Sequence, residues 1–153
     1  MAVALRCWDT AAILGVLLEE EEKLPYCMGT LQAARDGRVR IVVSALAVAE
    51  VLMLRGHDHI PRERAQIVRD FFEHSWIAVR SVDLRVAEMA QDCVWDQGID
   101  AKDAIHVATA LRYRVPNLDT FDGELTKKGG AFKARGLTIG KPDIPLQGSL
   151  DLK

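Results

Sequence analysis

Residues Val39–Leu54 read VRIVVSALAVAEVLML, and this stretch decides the fold class. Val39 to Val43 is rich in β-branched side chains, whose restricted χ1 favours an extended backbone. Ser44 then offers an N-cap oxygen to the first free amides of a helix over Ala45–Leu54, which Gly56 stops. An apolar strand running directly into an apolar helix is half of a parallel-sheet unit. The same alternation recurs on both sides of it.

Upstream, Ala2 to Trp8 reads as a buried strand ending at Asp9. Thr10 opens a helix through Ala11, Ile13, Leu14, Leu17 and Leu18 that closes in the Glu19–Glu22 run. Pro25 restarts the chain, and Tyr26 to Arg35 is a second helix stopped by Asp36-Gly37. Downstream, Pro61 suits the first turn of a helix running to about His74, and Trp76 to Val79 is a short third strand. Asp83 caps Leu84–Gln97, with Gly98 as the stop. Asp100 caps a helix through Tyr113, with Asp103 placed as in a capping box. Asn117 to Phe121 is a fourth strand. A Gly/Lys-rich loop, Lys127 to Gly130, leads to a fifth strand at Leu137–Ile139.

Strands separated by helices pair in parallel through right-handed crossovers, with helices on both faces. The expected fold is therefore α/β: a three-layer α/β/α sandwich around a mostly parallel sheet of four to five strands. No repeat or linker interrupts it, so residues 1–140 form one domain and 141–153 a C-terminal tail with little pattern. In such sheets a ligand sits at the carboxyl ends of the strands, near a topological switch point.

Composition removes several classes. The 153 residues are 49% hydrophobic and 27% charged, enough to bury a core and too apolar for a disordered chain. A net charge of -2 excludes a general polycation, so any nucleic-acid contact must use local cationic side chains or bound cations. No apolar run approaches the ~20 residues of a membrane span, and Glu50 interrupts the longest. Arg6 and Asp9 break the first apolar run, and no basic segment precedes it, which argues against a signal peptide and for the cytoplasm. Cys7, Cys27 and Cys93 lack C-x-x-C spacing, so they read as buried free thiols rather than disulfide or zinc ligands.

Four acids stand beside segments that ought to be buried. Asp9 follows the first strand, Glu50 lies inside ALAVAEVLML, Asp103 opens AIHVATAL, and Asp122 follows the fourth strand in DTFDGEL. Desolvating a carboxylate costs several kcal/mol unless it is paired. Asp9, Asp103 and Asp122 fall on one edge of the expected sheet. Glu50 lies nearly two turns into its helix, about 9 Å along the axis, and a glutamate can reach back from there. Each acid also has a plainer reading: a cap for Asp9, a capping-box partner for Asp103, a turn residue before Gly123 for Asp122, a partly wetted helix position for Glu50. Together they point to hard divalent cations bound by oxygen, Mg²⁺ or Mn²⁺.

Asp9-Thr10, the segment SALAVAE from Ser44 to Glu50, AKDAIHVATAL around Asp103, and Thr120-x-Asp122 occur in the order of the successive motifs of PIN domains, which this chain resembles from about residue 3 to residue 140. That resemblance implies a small metal-dependent ribonuclease, with many bacterial members acting as VapC-type toxins of toxin–antitoxin pairs. It implies that Asp9, Glu50, Asp103 and Asp122 form the catalytic and metal-binding pocket, with Asp119 and Asp100 as auxiliary acids. Thr10, Thr120 and Ser44 stand close to those motifs. It further implies an RNA substrate, a small antitoxin partner, a homodimer, and products with 5′-phosphate and 3′-hydroxyl ends.

Two other readings compete. One is a PIN-like RNA-binding or scaffold protein without activity, and the other is a metal-dependent phosphatase of another α/β fold. Phosphatases with an Asp nucleophile usually show D-x-D after the first strand, where this chain has Asp9-Thr10-Ala11. His106, one turn after Asp103, reads as a core residue or one that supports a ligand. His57-Asp58-His59 reads as an exposed loop.

Overall fold

Adjacent residues of the first strand face opposite ways, and each finds its own core. Cys7 packs with Val42, Ala78 and Leu118 on one face of the sheet, and Trp8 packs with Ile41, Val43 and Ile77 on the other. That period of two is the strand geometry expected of a sheet covered on both sides. The computed structural model describes residues 2–53 and 59–144.

Five strands form the sheet: β1 (Ala4–Trp8), β2 (Val39–Ser44), β3 (Ile77–Arg80), β4 (Asn117–Asp119) and β5 (Thr138–Gly140). Their order is β3-β2-β1-β4-β5 and every pair is parallel. Helices α1 (Thr10–Leu17), α2 (Leu24–Arg35), α3 (Ala45–Glu50) and α4 (Ala65–Glu73) contribute to the Trp8 face. Helices α5 (Leu84–Gln97), α6 (Ala101–Arg112) and α7 (Gly123–Lys128) contribute to the Cys7 face. The three-layer α/β/α sandwich expected from the pattern is the fold observed. No helix among the described residues is long and apolar enough to cross a membrane.

The boundaries differ in instructive ways. Helix α1 ends at Leu17 rather than in the Glu19–Glu22 run, and Glu19 takes a positive φ of 50°. Consecutive carboxylates at a helix C-terminus oppose the negative end of its dipole, so the helix stops before them. Helix α3 ends at Glu50, short of Leu54, and the expected stop at Gly56 lies outside the described residues, as do His57 and Asp58. Pro61 precedes a 3-10 turn (Arg62–Arg64) before α4 begins. The segment expected as a loop at Lys127–Gly130 is instead the end of α7 and the start of a 3-10 helix over Gly129–Arg135. Asp122 caps α7, and burial of Leu125 and Phe132 holds both pieces against the sheet. Strand β4 stops at Asp119, two residues early, because Thr120 and Asp122 turn their polar groups to other work.

The chain lays down β1, β2 and β3 in one direction, then crosses back to place β4 on the other side of β1. The switch point is therefore the crevice between the carboxyl ends of β1 and β4, where Asp9 and Thr120 emerge.

Candidate active site

Asp9 leaves β1 in an extended conformation and caps α1, its Oδ1 accepting from the Ala12 amide at 3.0 Å. Its Oδ2 accepts from Thr120 Oγ1 at 2.5 Å, across 111 residues of sequence. Thr120 is itself fixed by its amide, which donates to the Gly140 carbonyl at 2.8 Å, so β5 braces the bridge. The same hydroxyl oxygen accepts from the Asp122 amide at 3.1 Å. One threonine thus ties the first acid to the loop that carries the last.

Asp122 caps α7, its Oδ1 taking the amides of Glu124 and Leu125 at 2.9 and 3.2 Å. Asp103 sits half-buried in the first turn of α6 and has no hydrogen bond or ion pair among the described residues. Burial first, then the nearby charges of Asp122 and Asp9, push its carboxyl up to about 6. Burial likewise raises Asp9, against the opposing pull of His106, Thr120 and the Ala12 amide. The pull of His106 on both carboxyls does not cancel burial and their mutual repulsion.

Glu50, at the end of α3, reaches the same edge. Its Oε1 accepts from Thr10 Oγ1 and lies 3.2 Å from His106 Nε2. Burial pushes this carboxyl up, but the hydrogen bonds from His106 and Thr10 outweigh it and hold Glu50 below its usual range. Lys102 Nζ stands 4.0 Å from Oε2 on the solvent side. His106 is buried, within 3.3 Å of Thr10 Oγ1, and its Nδ1 has no partner.

The remaining sequence candidates are engaged with other partners. Asp119 points to the Trp8 face, where Arg6 meets it with Nε at 2.8 Å and a terminal nitrogen at 2.5 Å, and Trp8 Nε1 donates at 2.9 Å. Asp100 is an exposed cap of α6, accepting from the Lys102 amide at 2.9 Å. Ser44 is buried and caps α3 through the Leu46 amide at 3.2 Å. The three thiols are buried and free, and burial raises Cys27 to about 12, which disqualifies it as a nucleophile.

A divalent cation suits this donor set in its chemistry. The acids offer only oxygen, Asp103 has no hydrogen bond or ion pair among the described residues, and hard ions prefer such ligands. Among the described residues, however, no three acidic, histidine or cysteine side chains already stand close enough to hold an ion. Asp9 and Glu50 are instead held by hydrogen bonds from Thr120, the Ala12 amide, Thr10 and His106.

The model for the PIN domain matches residues 6–131. No curated protein matches the chain. Among solved structures, a toxin-antitoxin complex from Klebsiella pneumoniae is similar, with a TM-score of 0.61 at 19% identity, covering 88% of this chain and 95% of that one. VapBC2 from Rickettsia felis, bound to a DNA fragment from their promoter, is similar with a TM-score of 0.61 at 16% identity, covering 91% of this chain and 99% of that one. At those identities the likeness is one of fold.

Proposed function

The chain belongs to the PIN-domain family, and on that premise we propose that it is a divalent-metal-dependent endoribonuclease and the toxin of a toxin–antitoxin pair. The observation that carries this reading is Asp103, half-buried at the switch point of the sheet and raised to about 6 by burial and by Asp122 and Asp9.

In this reading Asp9, Asp103 and Asp122 hold Mg²⁺ or Mn²⁺. When bound, such an ion neutralises charge on the scissile phosphate and lowers the pKa of an attacking water. Thr120 and the Ala12 amide fix the Asp9 carboxylate in orientation. Glu50 is kept ionised by His106 and Thr10 through Oε1, which leaves Oε2 to accept a proton from water or to complete the ligand set. Lys102 Nζ, 4.0 Å from Oε2, supplies positive charge where the phosphate backbone approaches. No Ser or Cys nucleophile is required. Family membership leaves no ground for a phosphatase of another α/β fold.

A small antitoxin is the proposed partner, and a homodimer the proposed assembly, with the enzyme and its RNA in the cytoplasm. A groove of about 410 Å³ between α3 and α4, lined by Val48, Leu52, Ile60, Val68 and Phe72, supports an apolar protein partner. The two similar complexes support the same pairing by analogy of fold.

The test is cleavage of a fluorescent RNA panel in Mn²⁺, in Mg²⁺ and in EDTA. Cutting that depends on the ion and is lost in Asp103→Asn is the expected result. Mn²⁺ binding without cleavage of any RNA would favour an inactive PIN-like scaffold. A short gene overlapping this one upstream would support the antitoxin.

A further inference from the structure

Beside the acids lies an aromatic and cationic cluster for which the catalytic reading has no use. Phe121 sits between Thr120, which holds Asp9, and Asp122. Tyr26, in the first turn of α2, meets the Phe121 ring edge-on with centroids 5.9 Å apart and planes at 70°. Lys141, directly after β5, places Nζ 4.8 Å from the Tyr26 centroid. Lys23 Nζ stands 5.9 Å from the Phe121 centroid and 3.2 Å from Glu20 Oε2.

The fold brings these four residues together at the site's own edge. Helix α2 leads into β2, so its first turn lies near the carboxyl end of the sheet. Residues 121 and 141 follow the ends of the paired strands β4 and β5. Gly15 matters here, because a Cβ at that position would lie 2.8 Å from Lys23 Cβ. Its bare backbone admits the Lys23 stem against α1. Tyr26, with Phe121 at its edge and Lys141 beside it, keeps 45% of its surface exposed.

An exposed ring with ammonium groups beside it, next to a phosphodiester-cleaving site, has the composition of a single-strand binding surface. Bases stack on aromatic faces whatever their identity, and lysines neutralise the intervening phosphates. With a net charge of -2 the chain has no general attraction for RNA, so local cations must supply it. We propose that Tyr26, Phe121, Lys141 and Lys23 form a subsite for one nucleotide of single-stranded RNA adjoining the scissile phosphate, with the base on Tyr26 and the phosphate at Lys141. Phe121 holds the Tyr26 ring upright and couples this subsite to Thr120 and Asp122. The subsite rests on the endoribonuclease reading and adds to it a location for the substrate.

The test measures KM and kcat on a single-stranded RNA cut by the wild type, and on the same RNA with one abasic residue beside the cleavage position. Tyr26→Ala should raise KM about tenfold with kcat retained, and Tyr26→Phe should behave as wild type. The abasic residue should cost the wild type a similar factor and Tyr26→Ala almost nothing, because both remove the same stack. Lys141→Ala should reduce the slope of log KM against log salt by about 0.7. Equal KM for wild type and Tyr26→Ala, in an active wild type, overturns the subsite and leaves the nuclease intact. A wild type that cuts no RNA in Mn²⁺ overturns both together.

Discussion

His106 Nε2 lies 3.2 Å from Glu50 Oε1, joining α6 to the end of α3 across 56 residues. A carboxylate can only accept, so Nε2 must carry the proton in that bond. Thr10 donates to the same oxygen, and the two bonds leave Oε2 free on the side of Lys102. His106→Leu removes one of two donors and should raise the Mn²⁺ concentration for half-maximal thermal stabilisation about tenfold. His106→Gln restores an N–H near the Nε2 position and should recover most of it. Equal Mn²⁺ responses for all three proteins would show that His106 does not orient Glu50.

Asp103 titrates near 6 in the fold, against about 3.9 in an unfolded chain. The folded state therefore holds this proton more tightly. Its contribution to stability is full below about pH 4 and is lost as pH rises towards 6. At pH 7 without metal the ionised group is a liability, on the order of 1 kcal/mol once its partial exposure is discounted. Asp103→Asn should abolish cleavage and yet raise the metal-free Tm at pH 7 by about 2–4 °C. The gain should vanish at pH 4.

Mn²⁺ competes with protons for the same oxygens. The rise in Tm produced by saturating Mn²⁺ should be large at pH 7.5 and small at pH 5, where Asp103 holds a proton. Differential scanning fluorimetry at both pH values checks this. A shift independent of pH would mean that the ion binds elsewhere.

Asp119 and Arg6 make a different kind of pair, 113 residues apart, with Arg6 only 12% and Asp119 1% exposed. Asp119→Ala leaves the Arg6 guanidinium with only the exposed Asp143 carboxylate, 3.6 Å away, and strands the Trp8 N–H, and should destabilise the protein by about 3 kcal/mol in urea titrations. Arg6→Met with Asp119→Leu should recover most of that loss. Because Asp119 faces away from the crevice, folded Asp119→Asn should cut RNA at the wild-type rate. Loss of cleavage in a fully folded variant would make Asp119, rather than Asp122, the fourth acid.

Local chemistry made much of the fold legible. The caps Asp9, Ser44, Asp83 and Asp100 all serve as expected, because capping depends on residues two or three positions away. The four acids were visible as charges in apolar surroundings, and the structure places all four towards the carboxyl edge of the sheet. What stayed hidden depends on distant sequence. Nothing near Arg6 announces Asp119, and nothing near Tyr26 announces Phe121 or Lys141. The helical end of Lys127–Gly130 was masked by its glycines, since burial of Leu125 and Phe132 outweighs their poor propensity.

The bridge from Thr120 to Asp9 also bears on the order of events at the ribosome. A nascent chain that has emerged only as far as α5 already carries Asp9 and Glu50, but lacks Asp103, Thr120, Asp122 and the strand that braces them. The crevice therefore depends on the last strand: until β5 pairs with β4, the Thr120 amide lacks its Gly140 acceptor and the bridge to Asp9 has no brace.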